Sequence, residues 1–214
     1  MTKSLVLGVG VNNKSRKAGC GGSGNMTREY KLWKGILQRC YDQKSLDRCP
    51  TYLGCYVSEN FKFYSFFYDW CQEQKGFDYE TSHLDKDLLS YGNKEYGERF
   101  CVFVPREVNM SLTLSNAARG EFPLGVNKTQ DGKFIARCWK GEQGHVYLGR
   151  FAGPVDAHIA YCSHKNAYVQ SLAAKYKGVL DERVFDALRT FSIEKFTYSK
   201  RGVLASTGEC EACQ

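Results

Sequence analysis

Between residues 27 and 76 the apolar positions recur at helical spacing. Tyr30, Trp33, Ile36, Leu37 and Cys40 mark one face of a first helix, with Thr27 as its N-cap. Phe61, Tyr64, Phe67, Tyr68 and Cys71 mark the face of a second, which begins near Asn60 and is ended by Gly76. Both faces read as core. Lys31, Lys34, Arg39 and Arg48 lie on or beside the other faces, where they can touch phosphates or simply be solvated. Ahead of the first helix, residues 1–11 read as a short strand. The Gly-, Ser- and Asn-rich stretch to residue 26 reads as a flexible loop. Residues 42–59, with Pro50 and Gly54, read as irregular.

Beyond residue 80 the period shortens to two. Residues 80–89 predict a strand, YGNK at 91–94 a turn with Asn93 at positive φ, and CVFV at 101–104 a second strand. Pro105 is placed to open a helix, since its missing N–H costs nothing there. A polar connector at 113–121 follows. From Phe122 three short alternating runs, LGVNK, KFIARCW and HVYLGRF, predict strands; Pro154 then opens a long helix to about Tyr176, with Ala157, Ala160, Tyr161 and Ala167 as buried candidates. One more helix near 181–191 precedes a polar tail. The expected class is α+β: a helical N-terminal region leading into a strand-loop-strand-helix core, then a three-stranded antiparallel sheet packed on a helix. The divisions fall at 1–26, 27–112, 113–121, 122–176 and 177–214.

Composition narrows the partners. The 214 residues are 43% apolar and 25% charged, ordinary for a globular chain, but 14% aromatic, which is high. A net charge of +7 favours a polyanion. No apolar run approaches the length of a membrane span, and nothing like a signal peptide surrounds residues 5–11, so no membrane partner and a cytoplasmic location are expected. The ten cysteines are then expected to be mostly reduced thiols. Cys210 and Cys213 form the one CxxC, and Cys40, Cys49 and Cys55 are a conceivable zinc set set against the plainer reading of buried thiols.

The chemistry concentrates in HLDKDLLSYGNKEYGERFCVFVPREVN, residues 83–109. Hydrolysis of a phosphodiester with one metal needs a carboxylate and a second oxygen donor on the ion, and a base for water on the other side. Asp85 on the first strand and Asn109 on the helix are the candidate donors, suited to Mg²⁺ or Mn²⁺. His83, two residues before Asp85, shares its side of the strand. Read singly, each has a plainer role: His83 as a strand histidine, Asp87 capping the loop or pairing with Lys86, Asn93 as a turn residue, Asn109 on a helix surface.

This segment resembles the HNH, or ββα-metal, endonucleases of the phage homing type, a likeness that spans roughly residues 27–112 through YKLWKGILQRCYD, PTYLGCYV and LDKDLLSYGNKEYGERFCVFVP. The resemblance implies metal binding by Asp85 and Asn109 and an orienting role for the loop around Asn93, with Lys86 and Asp87 assisting. Lys86 stands where the family has its general-base histidine. A lysine is almost fully protonated at neutral pH, which leaves three readings: His83 is the base, Lys86 stabilises phosphate charge while metal-bound water attacks, or the scaffold is catalytically inactive and only binds DNA.

FPLGVNKTQDGKFIARCWKGEQGHVYLGRFAGPVDAHIAYCSHKNAY resembles the ethylene-response-factor, or AP2-like, DNA-binding domain, through the Gly-Val of the first strand, GKF before the second, YLGRF in the third and the Ala- and Tyr-rich helix. The resemblance implies a sheet laid in the major groove of double-stranded DNA. Its outward face would present Asn127, Thr129, Arg137, Trp139, His145 and Tyr147, with Arg137 able to read guanine; Lys128, Lys133, Lys140 and Arg150 would neutralise phosphates. Together the two likenesses imply a metal-dependent DNA endonuclease or nickase working in the host cytoplasm. The alternative is an inactive DNA-binding regulator on the same scaffold; a sheet face buried against the rest of the chain, or an RNA-binding protein, are further readings.

Overall fold

The computed structural model describes residues 5–20, 25–79, 81–113 and 121–195. The chain is mixed helix and sheet and divides into two compact units: residues 1–105 with 179–184, and residues 106–178 with 185–214. The expected linker at 113–121 falls mostly, and the tail with Cys210 and Cys213 wholly, outside the described residues. No helix among the described residues is long and apolar enough to cross a membrane.

In the first unit, strands β1 (Gly19–Cys20) and β2 (Asn25–Met26) pair antiparallel within the stretch expected to be a loop. Of the strand expected over residues 1–11, residues 1–4 lie outside the described residues and 5–11 do not make it. Leu7 and Gly8 have positive φ, so the run folds into a tight turn closed by a Val6–Gly10 bridge, and only Val11 pairs onward, with Phe63. Helix α1 (Arg28–Tyr41) is capped as expected, the Thr27 hydroxyl accepting from the Tyr30 N–H, and it buries Trp33, Ile36, Leu37 and Cys40. The stretch read as irregular contains helix α2 (Gln43–Arg48), a 3-10 turn (Pro50–Tyr52) and strand β3 (Tyr56–Val57). No residue of α2 is buried, so it has no apolar stripe to betray it. Its nucleus is the Asp42 cap, whose carboxylate accepts from both the N–H and the hydroxyl of Ser45.

A 3-10 turn (Asn60–Lys62) leads into helix α3 (Tyr64–Glu73). Phe61 of the turn and Tyr64, Phe67 and Cys71 of the helix are buried as their spacing predicts; Tyr68 is only half-buried, and Trp70, which is not among the expected positions, is buried. Phe61 meets Phe67 and Trp70 edge-on, with centroids 5.0 and 4.9 Å away, the arrangement ring quadrupoles favour. The indole N–H of Trp33 donates to the Phe61 carbonyl at 2.7 Å, joining α1 to the turn before α3 and satisfying that buried donor. Against this core lie β4 (Ser82–Asp85) and β6 (Val102–Pro105), antiparallel, with His83 opposite Val104 and Asp85 opposite Val102. Between them β5 (Glu95–Tyr96) pairs parallel with β3.

In the second unit, α4 (Arg106–Leu112) begins one residue after the proline expected to open it, because Pro105 still pairs in β6. Strands β7 (Val126–Lys128), β8 (Phe134–Trp139) and β9 (His145–Phe151) form the expected three-stranded antiparallel sheet. Helix α5 (Pro154–Lys175) covers one face of it, burying Ala157, Tyr161, Tyr168 and Leu172 at helical spacing; Ala160 is half-buried, and Ala167 is exposed rather than buried because it falls on the far side of that stripe. Gly125, at φ +76, passes so close to the Tyr161 ring that a Cβ there would overlap it. Helix α6 (Glu182–Arg189), whose first three residues belong to the first unit, falls within the helix expected near 181–191.

One position tests how tightly the first unit is filled. A Cβ on Gly10 would stand 2.5 Å from Leu37 Cδ1 and 2.8 Å from the Trp33 ring, both fully buried. Gly10→Ala is therefore expected to lower unfolding stability by about 1–3 kcal/mol in urea titrations, whereas the same change at Gly8, which has open space around it, costs only what its positive φ imposes.

Candidate nuclease loop and nucleic-acid interface

Lys86, where the resemblance would put a base, is turned inward by the fold. Lys86 is 6% exposed. Its ammonium donates to Asp87 Oδ1 at 2.9 Å and to the Asn93 carbonyl at 2.5 Å, and stands 5.6 Å from the centre of the Tyr96 ring. Asp87 thus pairs with Lys86, one of the two roles open to it, and the capping role falls to Asp85. Asp85 Oδ1 accepts from the N–H groups of Asp87 and Leu88 at 2.9 and 2.7 Å, turning the chain sharply out of β4.

Asn93 does not adopt the positive φ expected of it. That conformation belongs to its neighbour Gly92, at +75°. The Asn93 side chain instead bridges the loop, donating to the carbonyls of Lys86 and Glu95 at 3.0 and 2.6 Å and accepting from the Glu95 N–H at 3.0 Å. Residues 85–95 are therefore fixed by three polar side chains, Asp85, Lys86 and Asn93. On β4, His83 is exposed and Asp85 half-buried on the same side of the strand. Asn109 is half-buried on α4, which belongs to the second unit.

Among the described residues no three His, Cys, Asp or Glu side chains are grouped as a metal ion would need. Of the zinc set considered above, Cys40 and Cys55 are buried and Cys49 is exposed; burial pushes the Cys40 thiol up to about 12, the behaviour of a packed thiol. Arg39 is likewise drawn from the phosphate-facing candidates into packing, its guanidinium 5.7 Å from the Tyr52 ring centre.

The uncovered face of the second unit's sheet carries most of the expected interface. Register puts Asn127, Ile135 and Arg150 across from one another, and Arg137 across from Tyr147. A bulge between Ala136 and Arg137 opposes two residues of β9 to one step of β8. It switches parity, so that Arg150 shares the face of His145 and Tyr147 despite its even number. Asn127, Lys128, Lys133, Arg137, His145, Tyr147 and Arg150 are exposed, Tyr147 by 56%.

Three residues depart from their expected use. Trp139 is half-buried at the strand end and its ring meets Tyr168 of α5 edge-on at 6.2 Å. The Thr129 hydroxyl serves the β7–β8 turn, bonded to Asp131 and to the Lys133 carbonyl. Arg150 is ion-paired with Asp131, a partner that sequence reading missed; the Asp-Gly turn it sits in, with Gly132 at φ +79, signals a hairpin but not an ion pair. Lys140, half-buried in the β8–β9 turn, lies near His164, and burial, reinforced by that charge, holds the imidazole below its usual value.

No family model matches the chain, and neither the curated proteins nor the solved structures contain a match to it.

The buried ammonium makes a direct claim about stability. Lys86→Ala strips the Asn93 carbonyl and Asp87 of their donor and opens a cavity, and is expected to lower unfolding free energy by about 3–5 kcal/mol, read as a shift in denaturant midpoint. Lys86→Met, which refills the volume, is expected to recover part of that loss.

Proposed function

We propose that the chain is a metal-dependent DNA endonuclease or nickase of the HNH type, with the three-stranded sheet selecting the site. The observation that carries this reading is the exposed sheet face, where Arg137, His145 and Tyr147 project together from a helix-backed three-stranded sheet. A twisted sheet of this width fits the major groove, a guanidinium can pair with guanine edges, and an exposed tyrosine can pack on sugar or thymine methyl. Lys128 and Lys133 flank that face for phosphates, whereas the Asp131 partner reduces what Arg150 contributes.

For the chemistry, support comes from the order β4, loop, β6, α4 and from the side shared by His83 and Asp85. In this reading Asp85 would supply an oxygen to Mg²⁺ or Mn²⁺, an ion that takes most of its oxygens from water and substrate phosphate, and Asn109 is the candidate amide donor on the second unit. The ion would polarise the scissile phosphate and His83 would take a proton from the attacking water. Lys86 does neither, because its ammonium is enclosed by Asp87, Asn93 and Tyr96. That enclosure also favours the second reading, a DNA-binding regulator on a nuclease scaffold that has lost its base.

Nicking of supercoiled plasmid separates the two. The enzyme reading expects relaxation with Mg²⁺ or Mn²⁺, abolished by chelation and lowered at least about a hundredfold by His83→Ala or Asp85→Ala. Duplex binding unaccompanied by metal-dependent nicking leaves the regulator. Arg137→Ala is expected to weaken duplex binding by about 1–3 kcal/mol and to relax preference at one base pair, and Lys133→Ala to flatten the salt dependence without changing preference. Duplex RNA competing as well as DNA at matched salt would overturn both readings.

A further inference from the structure

Glu107 receives more hydrogen bonds than its place on a seven-residue helix requires. Its carboxylate accepts from Tyr168 OH at 2.9 Å, from Tyr176 OH at 2.6 Å and from the Lys175 ammonium at 2.5 Å. Burial opposes its ionisation, but the bonds from Lys175, Tyr176 and Tyr168 outweigh it and hold the carboxyl below its ordinary value. Tyr168 in turn packs against Trp139 at the end of β8. Gly141, in the following turn at φ +56, leaves no room beside the carboxylate: a Cβ there would overlap Glu107 Oε1 and stand 2.9 Å from Tyr168 OH. One side chain of α4 is therefore gripped by the covering helix and abutted by the β8–β9 turn, within a single compact unit. A helix this short has little stability of its own, so such contacts decide where it points.

We propose that Glu107 is a positioning residue that ties α4, and with it Asn109, to the sheet, so that duplex held by the sheet steadies the helix amide. This rests on the reading of the sheet and of Asn109 given above, and it assigns to Glu107 a role that neither resemblance supplies. Asn109 follows Glu107 by two residues on the same short helix, so a change in the tilt of α4 displaces its amide. The tie is electrostatic as well as steric.

Hydrogen exchange of the full-length protein, with and without a random-sequence duplex at low salt, tests this. Peptides from residues 134–151 report the sheet, and peptides from 106–112 report α4. In the wild type, duplex is expected to slow exchange in both, in α4 by about tenfold. Glu107→Gln, and the Tyr168→Phe/Tyr176→Phe pair that keeps the carboxylate but removes two donors, are expected to keep the sheet protection and lose that of α4. If wild-type nicking is metal-dependent, both variants should need about tenfold more Mg²⁺ for half-maximal nicking at unchanged duplex affinity. Sheet protection without α4 protection in the wild type overturns the proposal, as does α4 protection that survives in both variants. Absence of protection on the sheet itself overturns the DNA reading, and this inference with it.

Discussion

A lysine ammonium enclosed in the first unit must be answered by oxygen, and everything presented by the β4–β6 hairpin depends on how that demand is met. Lys86 reaches one carboxylate oxygen and one backbone carbonyl, and lies near the face of an aromatic ring. Those oxygens come from Asp87, its neighbour in the chain, and from Asn93, across the loop. Asn93 then closes the loop with three bonds of its own, and Asp85 turns the chain at the start. The result is an eleven-residue excursion, 85–95, without regular structure until β5 yet with its ends and middle pinned. His83 and Asp85 leave β4 on one side of a frame that cannot readily slip.

A hydrophobic side chain of similar volume at residue 86 would cost less desolvation, and buried ion pairs are often no more stabilising than such replacements. What the ammonium supplies is direction. It demands a carbonyl at one particular place, so of the loop conformations that bury residue 86 only those that deliver the Asn93 oxygen are acceptable. The same demand removes Lys86 from chemistry with bulk solvent. Its charge is already satisfied by Asp87 and the Asn93 carbonyl.

Elements with an apolar period were legible in the sequence. The faces of α1 and α3, the three strands after residue 122 and the long helix behind them all follow from the spacing of residues such as Trp33, Phe67, Ala136 and Tyr161. Elements held by polar caps were not. No buried residue marks α2, whose start depends on the Asp42–Ser45 bonds, and the apolar run to residue 11 read as a strand while Leu7 takes a positive φ that no local pattern announces. At the site, residue types and order were readable, but partners were not. That Asp85 caps, that Asp87 pairs, that Asp131 neutralises Arg150 and that Trp139 leaves the open face for Tyr168 are consequences of which groups fall within reach after folding.

The second unit fixes its polar element the other way round, with a carboxylate enclosed by donors. Glu107 is answered by two phenols and an ammonium, and its neighbour across the turn, Gly141, has been kept free of a side chain. Phenols are stiff, with few rotamers to lose, so two of them hold an oxygen pair at little entropic cost. The lysine, half-exposed, adds charge without adding rigidity. This division explains why the contact tolerates a solvent-facing edge: geometry comes from Tyr168 and Tyr176, and the ion pair only biases the protonation state. In both units, then, a short segment with little apolar packing of its own is held by one charged side chain, the buried Lys86 or the half-buried Glu107, whose partners are spread along the chain. The open sheet face carries few such locks, and Arg137, His145 and Tyr147 remain the groups with most freedom to meet a ligand on its own terms.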